Sequence, residues 1–357
     1  MTSKERVMTA MEFQEPDRVP RYFSHFWPEF KAQWEGVHGP TDLYDRFGDD
    51  MRLIAAEEAP WPTKAGVVEC RGERLVVRTG WGELKLASFT DIPGQVMGQL
   101  LEPAVKERVD PDTLRFDDPL MDSRYEEAGR QAAALKDEYF LWCKSGGPYI
   151  RAAFLRGEEQ FWMDVAEDPG WTKAFVDRVV DHIVTVAIEA MRRFGLQETG
   201  IAIYDDISSS QGPIVGPKCY ERIFLPALRR MVKAYKDAGA RWVLHHSDGN
   251  ILPVLDMWID AGVNAINPVE YRIGMDAVKL REQYGKRLVL TGGMDNCEIL
   301  PRGDRGEIRE HILHVLQAGH GGGFVFGTHS LGPDISVATA EYVLELLAEH
   351  GNYPLPN

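Results

Sequence analysis

From about Lys136 onward the chain alternates short, continuously apolar runs with longer stretches whose apolar positions recur at helical spacing. The short runs are Phe140-Leu141-Trp142-Cys143, Ile201-Ala202-Ile203-Tyr204, Trp242-Val243-Leu244-His245, Ala265-Ile266-Asn267, Leu288-Val289-Leu290-Thr291 and Phe324-Val325-Phe326. Between them lie helix-like segments, Trp171 to Arg193, Tyr220 to Ala238, Ile251 to Ala261 and Glu307 to Ala318. Strands with no polar alternation are apolar on both faces, so the pattern predicts a parallel sheet covered by helices. Asp237-Ala238-Gly239, Asp260-Ala261-Gly262 and Gln317-Ala318-Gly319 each place a glycine after a helix and before a strand, the chemistry of a helix C-cap leading into a short loop. Repeated units of this length predict a distorted (β/α)8 TIM barrel, in the α/β class. A doubly wound sheet is the alternative, but no GxGxxG joins a strand to a helix, and Gly321-Gly322-Gly323 precedes a strand.

The beginning of the chain differs. Met1 to Met11 reads as a short helix, Val19 to Phe26 as a first barrel strand, and Val67 to Ser88 as antiparallel strands turned at Cys70-Arg71-Gly72-Glu73 and Thr79-Gly80-Trp81-Gly82. That last segment, within about 60–110, is expected to be an insertion packed on the barrel, with 1–357 forming one domain.

Composition narrows the function. The 357 residues are 44% hydrophobic, which supports a sizeable core, and the net charge of −15 argues against a broad nucleic-acid or anionic-membrane surface. Cys70, Cys143, Cys219 and Cys297 lack CxxC spacing, so they suggest neither a disulfide framework nor a thiolate zinc knuckle, and a reduced, cytoplasmic protein is expected. The opening Met1-Thr2-Ser3-Lys4-Glu5-Arg6-Val7 lacks the apolar core of a signal peptide, and no run approaches the length of a membrane span.

Polar chemistry gathers at the strand ends. Side chains alternate across a strand, so in His245-His246-Ser247-Asp248 the pair His246 and Asp248 shares one face. In a parallel barrel that point is the carboxyl end, where catalytic groups collect. Asp248 serves equally well as an N-cap for the helix that follows, whereas His246 has no capping task. Other strands end in Tyr204-Asp205-Asp206, Asn267-Pro268-Val269-Glu270, Gly292-Gly293-Met294-Asp295 and Gly327-Thr328-His329. Taken singly, each has an ordinary explanation: Asp206 and Asp295 as helix caps, Glu270 as an ion-pair partner of Arg272, His329 as a core histidine. Their convergence favours a site.

Two imidazoles with one or two carboxylates suit a zinc ion that keeps one position open. His246, Glu270 and His329 are the expected ligands, with Asp248 as a further ligand or as the outer partner that fixes an imidazole tautomer. Without metal the same groups make an acid/base set. Tyr204, Asp205, Asp206 and Asp248 are the expected catalytic residues. The aromatic stretch Tyr22-Phe23-Ser24-His25-Phe26-Trp27, with Trp142, Tyr149, Phe161, Trp162 and Tyr271, can line a mouth for a flat or apolar ligand, although core and rim packing explains most of these residues as well. His25, Trp27, Tyr149 and Asp295 are the expected substrate contacts.

Lys4-Glu5-Arg6-Val7-Met8-Thr9-Ala10-Met11 and Pro16-Asp17-Arg18-Val19-Pro20 resemble the opening of the uroporphyrinogen decarboxylase superfamily. Tyr204-Asp205-Asp206, Gly216-Pro217-Lys218-Cys219-Tyr220, His246-Ser247-Asp248-Gly249, Asn267-Pro268-Val269-Glu270, Gly292-Gly293-Met294-Asp295 and Thr328-His329-Ser330-Leu331-Gly332-Pro333-Asp334 resemble later segments of it. The resemblance spans nearly the whole chain. It implies a distorted (β/α)8 barrel with its cleft at the carboxyl ends of the strands, commonly paired as a homodimer.

The superfamily contains two chemistries. Its porphyrinogen decarboxylases carry Arg-Gln-Ala-Gly-Arg shortly before a Pro-Glu-aromatic triplet. Here Pro28-Glu29-Phe30 is present, but Tyr22 to Trp27 contains no arginine, and Arg21 alone is a poor grip for the many carboxylates of a tetrapyrrole. The other branch comprises zinc-dependent methyltransferases acting between a small methylated compound, a corrinoid protein and a thiol or folate. In thiol-methylating members the metal is held by a His-x-Cys pair and a later Cys, and the corresponding positions here are His246, Asp248 and His329. Nitrogen and oxygen ligands imply a more Lewis-acidic zinc, suited to an ether or alcohol oxygen. The resemblance therefore implies methyl transfer from a small O-methylated, aromatic-compatible donor to a corrinoid carried by a partner protein. The alternatives are porphyrinogen decarboxylation, with Asp205 or Asp206 stabilising a protonated pyrrole, and a non-catalytic barrel that binds a ligand.

Overall fold

The computed structural model describes residues 1–72, 74–89 and 96–356, so Glu73 of the first expected hairpin turn lies outside the described residues. Eight parallel strands form the barrel: β1 (Arg21–Tyr22), β2 (Met51–Ile54), β3 (Phe140–Gly146), β4 (Ile201–Tyr204), β5 (Val243–His246), β6 (Ala265–Val269), β7 (Val289–Gly293) and β8 (Phe324–Gly327). They are hydrogen-bonded in the order β1-β8-β7-β6-β5-β4-β3-β2, with helices outside. The absence of polar alternation follows from this arrangement. Phe140, Trp142, Ala202, Leu244, Ala265, Val289 and Val325 fill the barrel interior, while Leu141, Cys143, Ile201, Ile203, Val243, Ile266 and Leu290 pack against the helices. The amino end is plugged by helix Ser3–Met11, begun by a capping box between Thr2 and Glu5, whose Val7 and Met11 enter the interior cluster.

The ladder is continuous everywhere except between β1 and β2. There the seam is closed by side chains. Asp50 N–H donates to Arg21 O at 2.9 Å, and the buried Asp50 carboxylate accepts from Arg21 N–H at 2.8 Å, Arg6 Nη1 at 2.7 Å, Arg18 Nη1 at 2.8 Å and Ser3 Oγ at 2.7 Å. Next to it, Phe23 N–H reaches both oxygens of Asp49, at 3.0 and 3.1 Å. The N-terminal motif is therefore a clasp: Arg6 and Arg18 are the cations that hold Asp50.

Several boundaries differ from those expected. The first strand is only Arg21–Tyr22, because Ser24 adopts a left-handed φ of 61° and turns the chain. The four-residue β2 went unrecognised. The insertion has four antiparallel strands, Gly66–Arg71, Arg74–Arg78, Leu84–Phe89 and Val96–Glu102, rather than the portion read between Val67 and Ser88. The expected helix Tyr220 to Ala238 is two helices, Pro217–Ile223 and Leu225–Asp237, joined at Phe224 just before Pro226, which cannot donate to a continuing helix. Among the described residues no helix is long and apolar enough to cross a membrane.

Two measurements test the seam. Asp50→Ala leaves Arg18 without its anion and Arg6 with Asp17 alone, and is expected to destabilise the fold by about 3–5 kcal/mol, read from denaturant midpoints. Asp49 makes a separate prediction, because burial pushes its carboxyl up to about 7. Across the window from the ordinary carboxylate range up to that value, the folded chain keeps a proton that the unfolded chain has released. The stability from this group therefore declines as pH rises through the window. The stability difference between wild type and Asp49→Asn should shift toward the variant between about pH 4 and 7, and a pH-independent difference would rule this out.

Candidate metal centre and cleft

Strand β5 delivers the first site residue. Leu244 and His246 point into the barrel, and His245 turns outward to stack on Trp258 with ring centroids 3.7 Å apart. His246 Nδ1 lies 2.6 Å from Asn267 Oδ1 on the neighbouring β6. An amide oxygen can only accept, so Nδ1 carries the proton and the lone pair resides on Nε2. That atom faces the open end of the barrel, 3.6 Å from Asp248 Oδ1 and 3.8 Å from Asp206 Oδ1. Tyr204 stacks on the imidazole at 4.1 Å and 19°, fixing the ring plane.

Asp248 stands two residues beyond β5, on a loop held by Gly249. A Cβ at Gly249 would lie 2.7 Å from the Ser208 and Ser209 backbone, and its φ is +87°, so only glycine lets the two loops approach. The capping reading of Asp248 does not apply: Asn250 Oδ1, not Asp248, accepts the Leu252 N–H that opens the next helix. Asp248 Oδ2 is 3.3 Å from His329 Nε2, and its buried Oδ1 has no hydrogen-bond partner. His329 follows β8 and stays partly open to the mouth. One ligand atom each from His246, Asp248 and His329 falls within 4.8 Å of the others, a spacing that small side-chain rotations bring to the span of a tetrahedral zinc site.

Charge supports the same grouping. Burial lowers the His246 pKa to about 4, opposed by the nearby Asp206 charge, so the imidazole is neutral and able to ligate. Burial raises Asp248 to about 6, with His329 opposing and the Asp206 and Glu270 carboxylates adding to the rise. Three carboxylates share this end of the barrel, and a divalent cation is the natural counter-charge.

The remaining expected residues divide. Tyr204 and Asp206 are at the site, and Asp206 Oδ1 accepts Asp248 N–H at 3.2 Å rather than capping a helix. Asp205 points the other way. It is fully buried and accepts from Tyr149 N and Ile150 N at 3.0 and 2.7 Å, capping helix Pro148–Arg156, with burial raising its pKa to about 7. Glu270 borders the cleft, but its Oε1 accepts Gly249 N–H at 2.7 Å, which leaves Asp248 rather than Glu270 grouped with the two histidines. Asp295 accepts from Cys297 N and Glu298 N at 2.8 and 2.9 Å, a turn-capping role. Tyr149 is buried among Phe161 and Phe224, its hydroxyl accepting from Trp162 Nε1 at 2.7 Å, away from the mouth. His25 and Trp27 sit on the rim, where Trp27 Nε1 donates to Ser330 Oγ at 3.2 Å and His25 is near enough to His329 to feel its charge. Asn267 was overlooked as a site residue. Its position on the strand beside His246 was legible, but its register with that histidine was not.

With this geometry in place, comparison with known proteins adds context. A family profile described as uroporphyrinogen decarboxylase (URO-D) matches residues 92–350. The methylcobamide:CoM methyltransferase MtbA of Methanosarcina mazei is 28% identical over 176 residues, covering 49% of this chain and 48% of that relative. The chain thus matches about half the length of that curated relative. A solved structure of a methyltransferase from Methanosarcina mazei superposes with a TM-score of 0.67 at 16% identity, covering 98% of this chain and 99% of that one, a likeness of fold.

Elemental analysis of protein purified without chelator or affinity metal is expected to find about one zinc per chain. His246→Ala and Asp248→Ala should each lose most of it, and Glu270→Gln should retain it. Retention in the first two with loss in the third would reassign the ligands.

Proposed function

The chain belongs to the uroporphyrinogen decarboxylase family, and on that footing we propose that it is a methyltransferase taking a methyl group from a small O-methylated donor to a corrinoid carried by a partner protein. The observation that carries this reading is the meeting of His246, Asp248 and His329 at the open end of the barrel. These three residues would hold zinc, and the ion supplies a Lewis acid for the donor's ether oxygen.

The chain's own residues do the rest. Asn267 fixes the His246 tautomer so that Nε2 points toward Asp248 and His329, and the Tyr204 ring stops the imidazole from rotating. Asp206 holds the Asp248 loop by accepting the Asp248 N–H, and its carboxylate, 3.8 Å from His246 Nε2, would orient the donor. The partly open His329 keeps one side of the centre accessible. An acceptor carried by another protein needs that access.

The same structure weighs against porphyrinogen decarboxylation. Arg21 donates to Phe47 O and Leu347 O at 3.4 and 3.3 Å and is largely buried, so it is occupied by the scaffold and unavailable to a substrate. Asp205, one of the two carboxylates that reading relies on, is taken by a helix N-terminus.

Zinc-loaded protein mixed with a reduced corrinoid protein and a panel of methoxylated compounds should give donor-dependent methylation of the corrinoid, followed by its visible spectrum and by release of the demethylated product. Asn267→Ala should slow the reaction by roughly 10- to 100-fold, the usual cost of losing the partner that orients a metal-bound histidine. Formation of coproporphyrinogen from uroporphyrinogen, with no methyl transfer from any donor, would reverse the assignment.

A further inference from the structure

A cleft of about 310 Å³ opens beside the proposed zinc ligands, bordered by Ser208, Asp248, Glu270, Arg272, Cys297 and His329. Its carboxylates already have tasks, Asp248 in the proposed metal set and Glu270 on Gly249 N–H. Its donors do not. Arg272, on the turn Tyr271–Ile273, makes no ion pair or hydrogen bond among the described residues, and its charge reaches Cys297 on the loop after β7. Ser208, on the loop after β4, is 9% exposed and its Oγ has no partner. The neighbouring Ser209 hydroxyl, by contrast, is spent on Gly212 O and Gln211 N, both at 3.2 Å.

A solvated surface arginine alone carries no message. An arginine and a desolvated, unpartnered hydroxyl that border the same cleft do, because both supply hydrogen-bond donors and neither has an acceptor among the described residues. The guanidinium fork matches the two oxygens of a carboxylate, and the hydroxyl can donate to one of them. Arg272 is the one cation bordering this cleft among the described residues, since Arg21 serves the scaffold and Arg151 is paired with Glu58. One cation suits one acid group rather than the many acids of a tetrapyrrole.

We propose that Arg272 and Ser208 bind a carboxylate on the methyl donor, which makes the donor a small methoxy monocarboxylic acid with its acid at Arg272 and the rest of the molecule running toward His329. This deepens the methyl-transfer reading and rests on it. The site selects by charge first.

Calorimetry on the zinc-loaded chain with meta-methoxybenzoate and the uncharged meta-methoxybenzamide tests the carboxylate site directly. Wild type should prefer the acid by about 10- to 100-fold, as one charge-assisted bidentate pair supplies. Arg272→Ala should abolish the preference, Arg272→Lys should retain part of it, and Ser208→Ala should weaken acid binding by a few fold, with zinc content unchanged throughout. Equal binding of the two probes, or binding of neither, overturns the proposal. So does a preference that survives in Arg272→Ala, since the acid would then be held by the metal. Demethylation of both probes with equal KM sinks the carboxylate site and keeps the methyl-transfer reading. An Arg272-dependent preference with no demethylation of the bound acid supports the carboxylate site and counts against methyl transfer.

Discussion

Closing the barrel between β1 and β2 is the constraint on which the other parts depend. Seven strand pairs are joined by backbone ladders, β1 to β8 among them, but the eighth seam, between β1 and β2, has none. Asp50 replaces the ladder by accepting the Arg21 N–H with its side chain and giving its own N–H to Arg21 O. A carboxylate buried there needs cations, and Arg6 and Arg18 provide them from the N-terminal segment. These ion pairs tie the N-terminal segment to the barrel wall. The seam also reaches the chemistry: it sets Tyr22, whose hydroxyl lies 3.4 Å from that of Tyr204, and Tyr204 is the ring that packs on His246.

Above the seam, the period of two along each strand sorts residues between scaffold and site. On β5 and the residues after it, His246 and Asp248 face the mouth while His245 meets Trp258 behind the sheet. After β4 the same alternation sends Tyr204 and Asp206 to the site and Asp205 to the helix that follows β3. A one-residue shift in either strand would exchange these roles. The backbone bond from Asp205 N–H to His246 O, 2.9 Å long, locks the two strands in this register.

The barrel was legible from the second half of the chain because each strand there is an uninterrupted apolar run followed by a glycine-ended helix. β2 escaped because Met51-Arg52-Leu53-Ile54 is short and its second position carries an outward-facing arginine, which reaches Asp45 and the Tyr44 and Tyr139 rings. Strand ends gave the zone of the site, since alternation within a strand is a local property. They could not rank Asp248 against Glu270, because that depends on which carboxylate the Gly249 N–H captures after folding. For the same reason, the strand-end positions of Asp205 and Asp295 did not foretell their bonds to the first turn of helix Pro148–Arg156 and to the turn at Cys297 and Glu298.

The donor set bears on the kind of chemistry such a centre can support. Two thiolates would bring two negative charges and soft, electron-rich sulfur to a zinc ion, damping its pull on an oxygen ligand. In the proposed set, His246 and His329 would ligate through imidazole nitrogen without adding charge, and Asp248 would add one negative charge. The burial that keeps His246 unprotonated also raises the cost of the Asp248 charge, and a cation beside these carboxylates would offset that cost. An ion held this way retains more positive charge to share with an ether oxygen. The adjoining Arg272 borders the same cleft, where the carboxylate of the proposed donor would be drawn. A donor with an ether at one end and an acid at the other would satisfy both positive centres at once, and a neutral ether would satisfy only one.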